Sequence, residues 1–489
     1  MANYQRPGVY VEEITTFPPA VAAVETALPA FVGYTAIRRT ATGEALGPNT
    51  VQRIGSLLEF ERLYGRGEEV SVTAVELDES GSFLGAEVSR TFYVYDAIRL
   101  YYANGGGDCF IVSVGNSDPL PAAPAAAELI AGLDALLTWD EPTILLFPDA
   151  AALPTDPTDP ATADALHGVV QRALQQCADR GDRVAVLDVP ASDPSGEKFR
   201  NHTGTTGLRY GAAYAPWLRA ALPKTVYADT FGSIFSRRGA GDGLSLTAVL
   251  TDTTPSLVTD VSGATAGSPE KDAAEAELRR QSGIYAGIIR GLNALPLAVP
   301  PSGAVAGVYA LTDRTRGVWK APANVGLAAV LGPVRTYSNA ELAALNVHAT
   351  GGKSINAIRF VTGKGTLVYG ARTLAGNDNE YRYVSVRRLM NMLEESVQKA
   401  TEQFVFEPND ANTWVRVRAM IENFLTLLWR DGALQGAKAE HAFQVAVGLG
   451  RTMTATDVVE GRMIVEVQVA PVRPAEFIVL RFMQHLPTS

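Results

Sequence analysis

Two aspartates stand where an α/β enzyme would keep its catalytic groups. Asp149 follows the apolar run at 143–147, and Asp188 lies at the end of the run at 183–189; the carboxyl ends of parallel strands are where such folds bind ligands. A carboxylate there serves as general acid or base only with a partner in hydrogen-bond reach, and no His, Cys or Lys is grouped near either one. Both are therefore read as caps for the following turn or helix. Gly352, Lys353 and Ser354 imitate the end of a phosphate-binding loop, but that motif needs a glycine five residues before Gly352, where Val347 stands. Gly105, Gly106 and Gly107 precede a strand, whereas a dinucleotide fold places its glycines after one. The five histidines, His167, His202, His348, His441 and His485, are scattered without ligand spacing. Cys109 and Cys177 fit no disulfide framework and no metal or redox motif, and read as small buried hydrophobes made in a reducing compartment. Neither H-E-x-x-H nor G-x-S-x-G is present, so no nucleophile can be assigned. The expectation is a non-enzyme without metal or cofactor, in which Trp319, Trp414 and Trp429 are packing aromatics.

The elements that would position these residues follow from periodicity. Within 379–474, Leu389, Leu393, Val397, Ala400 and Phe404 recur at spacings of three and four, which puts them on one helix face. Arg388, Glu395, Lys399 and Glu402 are left for the other faces. Pro408, Asn409 and Asp410 break the pattern. A second helix then starts at an Asn412 or Thr413 cap, buries Val417, Ile421, Phe424 and Leu428, and ends in the 432–436 stretch. The period then changes to two, through Phe443, Val445 and Val447 and again through Met463, Val465, Val467 and Val469. Two helices on a small sheet are predicted.

Upstream, strands are expected at 30–35, 109–114, 143–147 and 183–189, and helices at 56–64, 93–103, 163–178 and 271–292. Helix 163–178 carries His167, Val170, Leu174 and Cys177 on one side, and helix 271–292 a stripe of Leu278, Tyr285, Ile288 and Leu292. Strands without polar alternation imply a sheet covered on both faces, hence a central α/β domain. Residues 154–160 (PTDPTDP) form a loop. The Thr-, Ser-, Gly- and Asp-rich stretch at 222–269 reads as a surface insertion rich in hairpins.

Both ends read as arms. Val9, Val11 and Ile14 are strand formers bracketed by prolines, and 476–483 (EFIVLRFM) follows Pro471 and Pro474. Segments this short cannot bury a face alone, and an unpaired apolar strand is an aggregation hazard. Each must join a sheet, either in its own subunit or in another. The 489 residues, 47% of them hydrophobic, suffice for two to four folded domains. No signal-peptide pattern opens the chain, and the apolar stretch at 20–34 contains Glu25 and Pro29, so no membrane insertion is expected. Of the net charge of −10, residues 1–300 carry −14 and residues 301–489 carry +4. A balance of +4 without a Lys/Arg cluster suits an acidic protein partner better than nucleic acid.

The order of several short motifs resembles one known family. EYRYVSVRRL at 380–389, the NDANTW turn at 409–414, a helix ending LWRDGALQG at 428–436, AFQV at 442–445 and APVRPAEFIV at 470–479 are similar to the C-terminal domain of contractile tail sheath proteins. Upstream, Ala306, Gly307, Asp313, Arg316, Gly317, Trp319, Lys320, Pro322 and Ala323, then Ile355, Asn356, Arg359, Gly365, Gly370, Arg372 and Thr373, fit the same pattern, as does the PGVYVEE opening at 7–13. The resemblance implies an N-terminal linking arm at 1–22 and a central α/β domain at 23–375 containing the 222–269 insertion. It further implies an α+β core sheath domain at 376–472 and a C-terminal linking arm at 473–489. Val9, Tyr10, Val11 and Ile14 at one end, and Phe477, Ile478, Val479 and Leu480 at the other, would add strands to neighbouring copies, with Val465 and Val467 in the receiving sheet. Hexameric rings would stack around an inner tube protein, bounded by baseplate and cap or terminator proteins, and contract to drive the tube through a target envelope. Such a subunit would be made in the bacterial cytoplasm and belong to a phage tail or to an injection device. The basic second half would face the tube, with Arg387, Arg388, Lys399 and Lys438 as candidates. The rival readings are an α/β enzyme of unknown substrate and a non-contractile filament or binding protein.

Overall fold

Strands that are apolar on both faces can be buried only between two layers, and the apolar runs at 30–35, 109–114, 143–147 and 183–189 are used in that way. The computed structural model describes residues 21–68, 70–116, 120–153, 165–224, 226–239, 241–265, 268–348 and 351–480. Six parallel strands lie in the order Ile355–Val361, Gly211–Ala215, Val184–Asp188, Ile144–Leu146, Pro29–Gly33 and Cys109–Ser113. Antiparallel strands complete the nine-stranded sheet: Gly365–Val368 and then Val325–Gly326 beyond one side, Val51–Ile54 beyond the other.

Alternate residues of each strand feed opposite cores. Phe31, Ile111, Leu146 and Tyr214 belong to one buried cluster, together with Ile98 and Tyr101 of helix Val94–Ala103 and Val305 and Val308 of helix Ser302–Arg316. Ala30, Val32, Phe110 and Leu145 belong to the other, with Leu129 and Leu133 of helix Ala126–Ala135 and Val170, Leu174 and Cys177 of helix Ala165–Arg180. The two helices on the first face pack backbone to backbone. A β-carbon at Gly307 would meet the Tyr101 carbonyl oxygen at 2.6 Å, so only glycine permits this approach.

Asp149 and Asp188 are both buried at the helix-bearing end of this sheet. Asp149 accepts the amides of Tyr93 at 2.5 Å and Val94 at 3.2 Å, capping helix Val94–Ala103, and the Tyr34 amide at 2.7 Å. Asp188 accepts the Ser302 amide at 2.8 Å, at the start of helix Ser302–Arg316. They are caps, but of helices distant in sequence rather than of the elements that follow them. Burial pushes both carboxyl groups up to about 7.

The expected hairpin-rich insertion is corrected. Strands Phe235–Arg237 and Gly241–Leu244 do pair, but helices Leu246–Val249 and Pro255–Gly263 follow them within the stretch, and helix Pro269–Gln281 begins at its last residue. Strand Phe235–Arg237 also joins Ser71–Leu77, which pairs with Phe83–Ser89, giving a four-stranded sheet. Val75, Phe235, Val261, Leu278, Tyr285 and Ile288 share a third core. The region is therefore a small folded layer with a hydrophobic core, recruited from two distant stretches of chain. The helix expected at 271–292 is two helices, Pro269–Gln281 and Gly283–Ala294. They are broken at Ser282, whose side chain accepts the Tyr285 amide and caps the second.

Two compact units divide the chain: residues 25–391 with those from 473 onward, and residues 392–472 with the segment ending at Val24. The division falls inside helix Val384–Thr401, further along than the 375/376 junction expected from sequence. In the second unit, helix Ala411–Arg430 is capped by Asp410, not by Asn412 or Thr413, since Asp410 accepts the Thr413 amide at 3.0 Å. Val417, Ile421, Phe424 and Leu428 are buried as expected. Residues 154–160 and the first two of the helix expected at 163–178 lie outside the described residues.

Removing the Asp149 carboxylate strands three buried amides. Asp149→Ala should lower unfolding stability by about 2–4 kcal/mol in urea titrations. Asp188→Asn keeps an acceptor for Ser302 and removes the titration. With the folded pKa of Asp188 raised to about 7, its contribution is complete below the unfolded value and is lost as pH rises through the folded one. The Asp188→Asn protein should therefore gain on wild type from about pH 4.5 to about pH 8, by on the order of 1–3 kcal/mol. Parallel pH profiles for the two proteins would refute this.

Candidate subunit-linking site

The small sheet consists of two antiparallel strands, Phe443–Val447 and Val465–Val469, with Val445 opposite Val467 and Val447 opposite Val465. Met463, expected in the second strand, lies before it. Val445 and Val447 are buried, and helix Ala411–Arg430 packs on their strand. Val465 is half-buried and Val467 exposed, and the strand between Val465 and Val469 is largely solvent-facing. Among the described residues neither outer edge pairs with a further strand. A two-stranded sheet is marginal by itself, and unpaired edge amides and carbonyls are a template for another strand.

The C-terminal segment is held at one residue. Glu476 accepts Arg372 Nε at 3.0 and 3.1 Å on its two oxygens, Arg372 Nη2 at 2.6 Å, Asn346 Nδ2 at 2.8 Å and the Tyr383 hydroxyl at 3.0 Å. Partial burial disfavours its charge, but the bonds from Arg372 and Asn346 outweigh this and hold the carboxyl below its usual range. A cleft of about 740 Å³ runs beside it, lined in part by Lys320, Arg359, Lys364, Tyr369, Phe477 and Ile478. Immediately after the anchor, Phe477, Ile478, Val479 and Leu480 are 71–79% exposed and adopt no strand. Four consecutive apolar, strand-prone residues thus stand in solvent. The N-terminal residues Val9, Tyr10, Val11 and Ile14 lie outside the described residues.

Of the four cations singled out for a tube contact, two are corrected. Arg387 is buried, stacks on the rings of Tyr381 and Tyr210 at 4.5 and 5.0 Å, and bonds Asn391 at 2.6 Å. Arg388 is buried over the Tyr309 ring and pairs with Asp313 at 2.5 and 3.0 Å. Helical spacing assigned Arg388 to an outer face, but a helix covered on several sides has no outer face there. Lys399 is half-exposed and pairs with Glu395 at 2.5 Å, and Lys438 is exposed. Spacing alone does not join Asn346, Arg372, Tyr383 and Glu476. Arg372, one of the family-like residues between Ile355 and Thr373, is the sequence signal that points to this cluster.

Cys109 and Cys177 are buried thiols, and burial pushes Cys109 up to about 12. Among the described residues no group of His, Cys, Asp and Glu could hold a metal ion, and no helix is long and apolar enough to cross a membrane. What the site offers is unpaired backbone and apolar side chains, the two ingredients of strand addition between molecules.

Residues 376–484 match the phage tail sheath C-terminal domain family. The tail sheath protein of Vibrio phage KVP40 is 25% identical over 185 residues, covering 38% of this chain and 26% of that relative's length. The sheath complex of an extracellular contractile injection system, PVC, in the contracted state is 27% identical, with a TM-score of 0.60 and 99% of each chain covered. The contracted helical sheath of the anti-feeding prophage is 28% identical, with a TM-score of 0.61, covering 99% of this chain and 100% of that one. Sheaths of contractile injection systems thus match the fold from end to end, and within it residues 376–484 belong to the phage tail sheath C-terminal domain family.

Proposed function

We propose that this chain is the subunit of a contractile sheath, polymerising as stacked hexameric rings around an inner tube and contracting to drive that tube through a target envelope. The observation that carries the reading is the exposed run Phe477–Leu480 in a chain that also contains a two-stranded sheet with open edges. The run adds a strand beside Val465 and Val467 of a neighbouring copy, and the N-terminal arm, through Val9, Tyr10, Val11 and Ile14, links to a neighbour in the same way. Burying four such side chains contributes roughly 6–10 kcal/mol before the entropy of ordering is subtracted. Head-to-tail links that do not close generate a helix rather than a closed ring pair.

Contraction in this scheme moves subunits largely as rigid bodies while the arms flex, so the stored energy resides in interfaces. The buried network of the nine-stranded sheet, with no solvent-exposed strand at its centre, supports rigid-body movement of that unit. Chains of the anti-feeding prophage baseplate, as well as of its helical sheath, are similar to this one. We extend that association to this chain, together with an inner tube, a terminator and assembly in the bacterial cytoplasm. Lys399 and Lys438 are the remaining tube-facing candidates.

Negative-stain microscopy of the purified subunit should reveal rods, while Ile478→Asp should give a folded subunit, with an unchanged circular dichroism spectrum, that forms none. Undiminished rods from this variant would sink arm exchange, and monodisperse wild-type globules at every concentration and salt would sink the sheath reading. Lys438→Glu should weaken co-sedimentation with the inner tube by about three- to tenfold, more at low salt. Equal sedimentation would remove Lys438 from the tube contact.

A further inference from the structure

The residues around Glu476 do more than satisfy a charge. The Arg372 and Glu476 side chains are 5% and 22% exposed, and the carboxylate takes five hydrogen bonds from three side chains. A bidentate, largely buried pair of this kind is held far more firmly than an exposed ion pair, because separating it leaves a desolvated charge.

The backbone of Arg372 is itself fastened to the middle of the large sheet. Its amide donates to Asn356 Oδ1 at 2.7 Å, and Asn356 Nδ2 donates back to the Arg372 carbonyl at 2.8 Å and to the Ala213 carbonyl at 3.1 Å. Asn356 lies in strand Ile355–Val361, which pairs in parallel with Gly211–Ala215. A β-carbon at Gly370 would lie 2.7 Å from Asn356 Oδ1, so a glycine there leaves room for this clasp. On the other side, the Thr373 amide bonds the Arg382 carbonyl at 2.8 Å, and Arg372 bridges Tyr383. One unbroken path of hydrogen bonds thus runs from Glu476 through Arg372 and Asn356 to Ala213.

We propose that Arg372, Asn346 and Tyr383 form a socket for Glu476 that fixes where the C-terminal arm leaves its own subunit and passes tension from the neighbour holding the arm into the nine-stranded sheet. The inference rests on the arm exchange proposed above. The first mobile residue is then Phe477, and the neighbour captures a short tether of defined origin. Without the socket the tether lengthens back toward Pro474, and capturing it orders more chain. Glu476 is a positioning residue, since it acts through the arm and is not itself donated.

The test compares Glu476→Ala, Tyr383→Phe and Ile478→Asp for two quantities: the melting temperature of the unassembled subunit and the lowest concentration at which rods form. Glu476→Ala should raise the rod threshold about tenfold while moving the melting temperature by less than about 3 °C. Tyr383→Phe, which removes one hydrogen bond to Glu476, should raise the threshold about threefold, and Ile478→Asp should abolish rods. Unchanged thresholds for Glu476→Ala and Tyr383→Phe, with Ile478→Asp still rodless, overturn the socket and leave arm exchange standing. A melting temperature that falls far enough to account for the raised threshold assigns the cluster to folding and also overturns it. Rods from Ile478→Asp overturn the arm reading, and the socket with it.

Discussion

A β-strand is stable only when its backbone groups are paired and its apolar side chains covered, and this chain meets that requirement very differently in its two units. The nine-stranded sheet protects its parallel core with antiparallel strands, Val51–Ile54 on one side and Gly365–Val368 with Val325–Gly326 on the other. The small sheet has two strands, and the apolar run from Phe477 to Leu480 has none to join among the described residues. One sheet is complete within the subunit; the other has room for a strand, and the chain has a strand to give. In the arm exchange proposed above, that mismatch is what would drive assembly.

The fold places carboxylates where enzymes of the same architecture place them, and uses them otherwise. Asp149 and Asp188 sit at strand ends, buried, with their carboxyl groups pushed up to about 7. In a cleft with substrate such groups would be general acids or bases. Here they accept backbone amides at the starts of two helices, those of Tyr93 and Val94 on Asp149 and that of Ser302 on Asp188, so the burial that perturbs them secures the two helices covering one face of the sheet. Perturbed acidity reflects loss of solvent, and loss of solvent is as much a feature of a cap as of an active site.

Charge is the other quantity whose meaning depends on burial. The second part of the chain carries +4, yet Lys353, Arg372, Arg387 and Arg388 are all buried. Arg388 neutralises Asp313, Arg372 neutralises Glu476, and Lys353 donates to the carbonyls of Arg200 and Thr203. A cation enclosed by acceptors contributes little field outside the protein, so a count along the sequence overstates what a tube would meet. The same residues make the motifs around 313, 356 and 372 conspicuous: each is a polar group that a buried network requires at one position.

Periodicity alone established four of the six parallel strands, the two helices and paired strands of the C-terminal region, and the apolar character of the last arm, because those features depend on neighbours three, four or two residues away; Gly211–Ala215 and Ile355–Val361 escaped it. The order of short motifs carried the family. Contacts between elements apart in sequence were not legible: Ser71–Leu77 joining Phe235–Arg237, Asp149 capping a helix that starts at Val94, or Arg387 sliding between Tyr210 and Tyr381. Helical spacing says which residues share a face but not how many faces are covered, which is why Arg388 looked exposed and is buried. The socket for Glu476 belongs to this second class, since Asn346, Arg372 and Tyr383 converge only after the sheet has formed. Local patterns are set by the geometry of one helix or strand, whereas burial and partnership are set by everything else that packs against it.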